Sequence, residues 1–275
     1  MNIFQEGFLA RILASGSVGD DLFFLCIKPI AIILCCVVIP YLLGSVSSAI
    51  IVSKVLFRDD IRRYGSGNAG ATNMYRTFGA RGAIPTVVGD VLKSALAVIS
   101  GGLCCGFWST GGFSFFPDDP SLFILSIGAN PIVVGTYLAG AFCILGHVFP
   151  VFYRFKGGKG VLSSFVVSLM LNLWLALVLF LVFVIVVAFT RYVSLGSSVG
   201  AALYPVFLTP LFQAMFGGAY PPVALVLFAF FIAAVIIFKH IPNIKRIMNH
   251  EESKFYFRRK PKIDEFETED DDGGK

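Results

Sequence analysis

Ser66-Gly-Asn-Ala-Gly-Ala-Thr-Asn73 holds two glycines, two asparagines and two hydroxyls, a mixture that neither a lipid-facing helix nor an apolar core requires. Short residues in succession let backbone N–H groups converge on an anion, and Arg62, Arg63 and Arg76 on the flanks supply charge that does not titrate. Lys156-Gly-Gly-Lys-Gly160 offers the same chemistry a second time. It is not a nucleoside-triphosphate loop, which needs glycine where Tyr153 stands and Ser or Thr where Gly160 stands. Two such loops at one membrane edge point to a phosphate site; a plain turn and a basic membrane anchor are the bland alternatives.

Other polar residues sit where apolar ones are the rule. Asp90 and Lys93 are the only acidic and basic residues placed within the bilayer, Lys54 lying at a membrane border, and at spacing i, i+3 they share a helix face and can pair. Charges at that depth are costly and mark a site or pathway unless they serve only to fix packing. A site is preferred, because Lys93 can extend toward the loops. His147 opens Gly146-His-Val-Phe-Pro150, and His240 begins His240-Ile-Pro-Asn-Ile-Lys-Arg246. Each is either an interfacial histidine or a substrate contact, with contact favoured for His240. The positions five after His147, His240 and His250 are Phe152, Lys245 and Phe255, so no His-x-x-x-x-Asp acyltransferase dyad is present. No Gly-x-Ser-x-Gly elbow supports a serine triad.

The elements that must position these residues are membrane helices. Of 275 residues, 56% are hydrophobic and 14% charged, against about a quarter charged in soluble domains. Mean hydropathy is +0.81. Apolar windows near the roughly 20 residues needed to span occur at Ile30–Phe57, Ala83–Phe107, Ile132–Phe152, Leu173–Thr190, Leu195–Met215 and Pro221–Phe238, with a shorter one at Gly160–Leu171. Seven spans are expected, in an all-α integral membrane protein. This arrangement puts all but three of the 22 Lys and Arg on one face, the exceptions being Arg11, Lys28 and Lys93. By the positive-inside rule that face is cytoplasmic, with the N-terminus extracytoplasmic and the C-terminus cytoplasmic. Both glycine loops lie on it. The net charge of +5 then needs no nucleic-acid partner. Residues 1–29 are expected to form an extracytoplasmic arm, 30–250 the membrane domain and 251–275 a charged cytoplasmic tail. The six cysteines lack metal spacing and are read as small buried hydrophobes.

Tyr41-Leu-Leu-Gly-Ser45, Gly65–Asn73, Gly89-Asp-Val-Leu-Lys93, Gly146-His-Val-Phe-Pro-Val-Phe152, Lys156–Gly160, Ser194-Leu-Gly-Ser197 and His240–Arg246 occur in this order. Together they resemble the bacterial acyl-phosphate:glycerol-3-phosphate acyltransferases, PlsY, over about residues 38–255. The resemblance implies a seven-span enzyme of the bacterial cytoplasmic (inner) membrane with its site facing the cytoplasm. Acyl phosphate and glycerol 3-phosphate are the implied substrates and lysophosphatidic acid the product. No cofactor or metal is implied, and a monomer is expected. Loop 108–131, Ser94 after Lys93 and His250-Glu-Glu252 before Lys254 depart from the family pattern.

Under this resemblance Ser197, His240 and Asn243 lie near the glycerol end and are catalytic candidates with Lys159. Candidate substrate contacts are Ser66, Gly67, Asn68, Gly70, Thr72, Asn73, Arg76, Asp90, Lys93, His147, Lys156, Gly157, Gly158, Gly160, Ser194 and Arg246. The attacking hydroxyl must lose a proton, to His240 or to a substrate phosphate; the latter is preferred because no carboxylate–histidine pair is visible. A transporter of a phosphorylated solute is the main rival, against which stands the gathering of polar motifs on one face without paired repeats. A metal-dependent headgroup transferase would need aspartate clusters. The acyl chain is expected to occupy a groove opening sideways between spans.

Overall fold

The computed structural model describes residues 30, 34–109, 131–208 and 223–256, and every regular element among them is helical. A π-helical turn, Leu34–Val38, leads into α1 (Ile39–Ser45) and α2 (Ser48–Phe57). Then follow α3 (Ala71–Ser109), α4 (Pro131–Val148), α5 (Val161–Leu171), α6 (Leu173–Thr190), α7 (Val193–Phe207) and α8 (Val223–Met248). Among the described residues, five stretches are long and apolar enough to cross a membrane: Leu34–Phe57, Ala71–Cys104, Gly135–Tyr153, Leu173–Thr190 and Val226–Met248. The remaining two expected crossings are shorter helices, α5 with 11 residues and α7 with 15. At about 1.5 Å per residue, α5 covers roughly half of a ~30 Å hydrocarbon core. The arm 1–29, most of loop 108–131 and the end of the tail lie outside the described residues.

The first expected span is not one helix. Val46 and Ser47 are extended, with ψ 110° and 101°, and they interrupt the ladder between α1 and α2. In a membrane, backbone carbonyls released by such a break must find donors inside the protein, and here they find Lys93. A second break falls at Gly79, whose φ of 64° and ψ of −158° belong to a region open essentially to glycine alone. It separates the short loop-side segment Ala71–Phe78 from the longer, apolar part of α3.

Close backbone approach holds α1 to α4. A Cβ on Gly44 would lie 2.1 Å from the Cys143 carbonyl oxygen, and one on Gly146 would lie 2.1 Å from that of Tyr41. This is the small-residue packing that membrane helices use in place of a hydrophobic driving force. The Tyr41–Ser45 motif completes the joint. Tyr41 Oη donates to Phe149 O at 2.7 Å, and Ser45 Oγ accepts from Val151 N at 3.3 Å. Beneath the loops, Ile50, Ile61, Met74 and Phe78 form a buried cluster, with Phe57 and Phe78 stacked at 4.1 Å. By contrast α6 presents Leu173, Trp174, Leu177, Leu181 and Phe189 outward, as a lipid-facing helix should.

Candidate active site

The first glycine loop is shaped by its own ends. Asn73, in the first turn of α3, is 2% exposed. Its Oδ1 accepts from Ser66 N at 3.2 Å, and its Nδ2 donates to Tyr64 O at 3.0 Å and Ile61 O at 3.4 Å. Asp60 Oδ1 accepts from Arg62 N at 3.0 Å, capping the 3-10 turn Ile61–Arg63, and Asp60 Oδ2 pairs with Arg62 Nη2 at 2.6 Å. The Arg62 hydrogen bond draws the Asp60 carboxyl down to about 2. Arg63 faces Asp59 at 3.5 Å. Of the three arginines expected to serve an anion, Arg62 and Arg63 are therefore taken by the two aspartates just before them. Arg76 faces the cavity described below, and its Nη2 donates to Ser253 O at 3.0 Å.

The second loop folds against α4. Gly158 N donates to His147 O at 3.1 Å, and a Cβ on Gly158 would lie 2.2 Å from His147 Nε2 and 2.9 Å from Ala69 O. Only glycine lets this loop, the histidine and the first loop meet at one point. Gly158→Ala should therefore weaken binding of the anion expected at these loops about tenfold, with the helical circular-dichroism signal intact. Wild-type affinity in a well-folded variant would contradict that.

Lys159 reaches across to α8, with Nζ 2.5 Å from Asn243 Oδ1. The other end of that amide, Nδ2, donates to Glu252 Oε1 at 2.7 Å. Ser194 Oγ donates to the same oxygen at 2.8 Å, and Arg246 Nε donates to Glu252 Oε2 at 2.8 Å. Burial alone would push the Glu252 carboxyl up, but the hydrogen bonds from Asn243, Arg246 and Ser194 outweigh it and hold the group below its usual range. One chain of contacts thus joins the starts of α5 and α7 to the end of α8. Phe255 N, donating to Arg191 O at 2.8 Å, fastens the segment after α8 to the α6–α7 corner.

His240 is 2% exposed, and its Nδ1 lies 2.8 Å from Ile236 O. A carbonyl only accepts, so Nδ1 carries the proton and Nε2 keeps a lone pair. Ser197 Oγ donates to Val193 O at 2.8 Å.

These groups surround the mouth of a cavity of about 380 Å³. Ser66, Asn68, Gly70, Thr72, Asn73, Arg76, Asp90, His147, Lys159, Gly160, Ser194, Ser197, His240, Asn243 and Glu252 line it. The first residues of α3, α5 and α7 border the same space, and helix N-termini favour anions. Farther in, the wall is Tyr137, Ile144, Leu179, Phe180, Phe183, Tyr204, Phe228, Ala229 and Ile232, from α4, α6, α7 and α8.

Six sequence candidates stand outside this lining: Gly67, Lys93, Lys156, Gly157, Gly158 and Arg246. Gly157 and Gly158 shape the loop, Arg246 braces Glu252, and Lys156 is exposed. Lys93 corrects an expectation. It does not extend to the loops but turns into the α1–α2 break, where Nζ donates to Val46 O at 2.8 Å and Gly44 O at 3.3 Å. The expected pairing with Asp90 is present at 2.8 Å. Sequence reasoning left Glu252 out of the candidates; the available signal was an acidic pair, Glu251 and Glu252, closing a basic, polar segment.

Comparison with known proteins gives the family and the fold. A family model described as glycerol-3-phosphate acyltransferase matches residues 34–250. The glycerol-3-phosphate acyltransferase of Aromatoleum aromaticum is 38% identical over 214 residues, 78% of this chain and 92% of the relative. Among solved structures, the glycerol 3-phosphate form of PlsY (YgiH), an integral membrane glycerol 3-phosphate acyltransferase, superposes with a TM-score of 0.62 at 32% identity. That match covers 81% of this chain and 95% of the other. The lysophosphatidic acid form gives 0.60 at 31%, with the same coverage. The chain, helical in every regular element of its described residues, with membrane-spanning helices and a cavity polar at one end and apolar at the other, belongs to the glycerol-3-phosphate acyltransferase family.

Proposed function

We propose that this acyltransferase moves a fatty acyl group from acyl phosphate to the 1-hydroxyl of glycerol 3-phosphate, releasing lysophosphatidic acid and inorganic phosphate. The observation that carries the reading is the two-ended cavity. Its mouth collects Lys159, Arg76, loop amides and three helix N-termini, and its depth is aromatic and aliphatic. A phosphate-bearing acceptor and an amphipathic donor need such a pair of environments side by side. Solved relatives in glycerol 3-phosphate and lysophosphatidic acid forms support the acceptor and the product.

The roles follow from the atoms. Lys159, Arg76, Ser66 and Asn68 gather the phosphates and offset charge as the transition state develops. Asn243, held at both ends by Lys159 and Glu252, keeps the lysine in place. His240 Nε2 accepts a hydrogen bond from the glycerol hydroxyl and aims it at the acyl carbonyl. The C–O ester bond forms, the acyl–phosphate bond breaks, and the hydroxyl proton passes to the departing phosphate. Acyl phosphate is already an activated anhydride, so no strong general acid is required.

The basic loops face the cytoplasm of a bacterial inner membrane under the positive-inside rule. The N-terminal arm 1–29 is extracytoplasmic and the tail 251–275 cytoplasmic. In this reading α5 and α7 complete seven crossings of residues 30–250 as short helices beside the cavity, and the enzyme works as a monomer.

Purified protein given acyl phosphate and glycerol 3-phosphate without added metal should form lysophosphatidic acid and phosphate in equal amounts. Solute flux into sealed vesicles with no product would contradict an enzyme and favour a carrier. A second expected result concerns the apolar end. Ala229, on α8, is 4% exposed and lines the cavity. Ala229→Phe should shift the preferred acyl donor to shorter chains while KM for glycerol 3-phosphate stays within about twofold. An unchanged chain profile would place the acyl group elsewhere.

A further inference from the structure

Two histidines face the cavity, and their ring nitrogens are engaged in opposite senses. His240 gives its Nδ1 proton to a carbonyl. His147 instead meets an ammonium, with Lys93 Nζ 2.9 Å from its Nδ1. An ammonium has three donors and no acceptor. This one points its three N–H groups at Val46 O at 2.8 Å, Gly44 O at 3.3 Å and His147 Nδ1, and the Asp90 carboxylate at 2.8 Å is its counter-ion. Since the ammonium cannot accept, Lys93 is the donor to Nδ1. That nitrogen must carry the lone pair, and the single proton of the ring is assigned to Nε2. A second ring proton would set a donor against a donor.

Nε2 points at the second glycine loop, since a Cβ on Gly158 would lie 2.2 Å from it, and His147 lines the cavity. We infer that His147 is a fixed neutral donor, presenting Nε2–H to a phosphate oxygen held beside Gly158 and Lys159, and that Lys93 is the positioning residue locking this tautomer. This accounts for a membrane-buried lysine that lies behind the cavity wall and not in it. A neutral donor strengthens as charge develops on its partner without adding a charge that must be desolvated. The identity of the anion rests on the acyltransferase reading above. The phosphate belongs either to the acyl donor or to glycerol 3-phosphate.

The test begins with the wild-type protein in lipid nanodiscs, carrying ¹⁵N-labelled histidine rings assigned through His147→Gln and His240→Gln. His147 should show a proton on Nε2 only, and His240 on Nδ1 only. A His147 ring protonated on Nδ1, or on both nitrogens, overturns the inference. Asp90→Asn combined with Lys93→Met removes both buried charges together. It should mix the His147 tautomers and lower kcat/KM about tenfold or more, the scale of a hydrogen bond to a charged group. An unchanged tautomer with unchanged kcat/KM also overturns it. His147→Gln, which keeps an N–H at the same reach, should retain clearly more activity than His147→Leu; equal losses count against a donor role. The wild-type spectrum and the His147 variants decide the matter even where the double variant does not fold. Whichever KM rises, for acyl phosphate or for glycerol 3-phosphate, identifies the phosphate served. Wild-type protein that forms no lysophosphatidic acid would refute the reaction but leave the tautomer result standing.

Discussion

Lys159→Met should lower kcat/KM for glycerol 3-phosphate by about two to three orders of magnitude, the range seen when one pre-organised donor to developing negative charge is removed. The lysine is placed by the glycines around it and by Asn243 Oδ1 at 2.5 Å. Burial draws its ammonium down from 10.5 to about 8, with Arg246 and Arg76 adding to the effect and Glu252 opposing it. The sign of the pH effect follows. The group holds its charge below about 8 and loses it above, so kcat/KM, which reports the free enzyme, should fall as pH rises through that value. Lys159→Arg carries a charge that does not titrate in this range and should flatten the alkaline limb. A wild-type profile that is level to pH 10, or a methionine variant within tenfold of wild type, would remove Lys159 from the site.

His240→Ala should reduce kcat about a hundredfold with little change in KM, because the ring acts on the hydroxyl as it attacks. His240→Gln separates orientation from proton abstraction. An amide oxygen can accept the hydroxyl hydrogen bond but cannot take its proton. If a substrate phosphate receives the proton, the glutamine enzyme should recover at least a tenth of wild-type kcat. Were the glutamine and alanine enzymes equally inactive, His240 would be the base. The geometry supports orientation: Nδ1 is held by a backbone carbonyl at 2.8 Å, not by a carboxylate that would strengthen the ring as a base.

Much of this site was legible because membrane sequences make polarity conspicuous. Glycine loops, buried Asp90 and Lys93 and the His240 cluster all stand out against apolar runs. Less visible were contacts in which polar groups satisfy one another. Arg62 and Arg63 looked like anion ligands, yet Asp59 and Asp60 immediately before them offered nearer partners. The break at Val46–Ser47 left no clear mark, because both sides of it read as one apolar helix. Its trace was Lys93, since a buried ammonium requires acceptors and a continuous helix has none to spare. The shortness of α5 was readable at Asn172, which caps α6 by accepting from Leu175 N at 3.0 Å. The apolar cavity wall could not be read, for Phe180, Phe228 and Ala229 are the same residue types that elsewhere face lipid.

The most direct test of a single cavity serving both reactants is to map where the product lies. Lysophosphatidic acid carrying a photoreactive diazirine near the end of its chain, bound to the enzyme in nanodiscs and irradiated, should label the wall formed by α6, α7 and α8, at residues such as Phe180, Tyr204 and Phe228, and excess glycerol 3-phosphate with acyl phosphate should suppress the labelling. Label that instead falls on the outward face of α3, at Leu92 or Leu96, and resists competition would contradict the account.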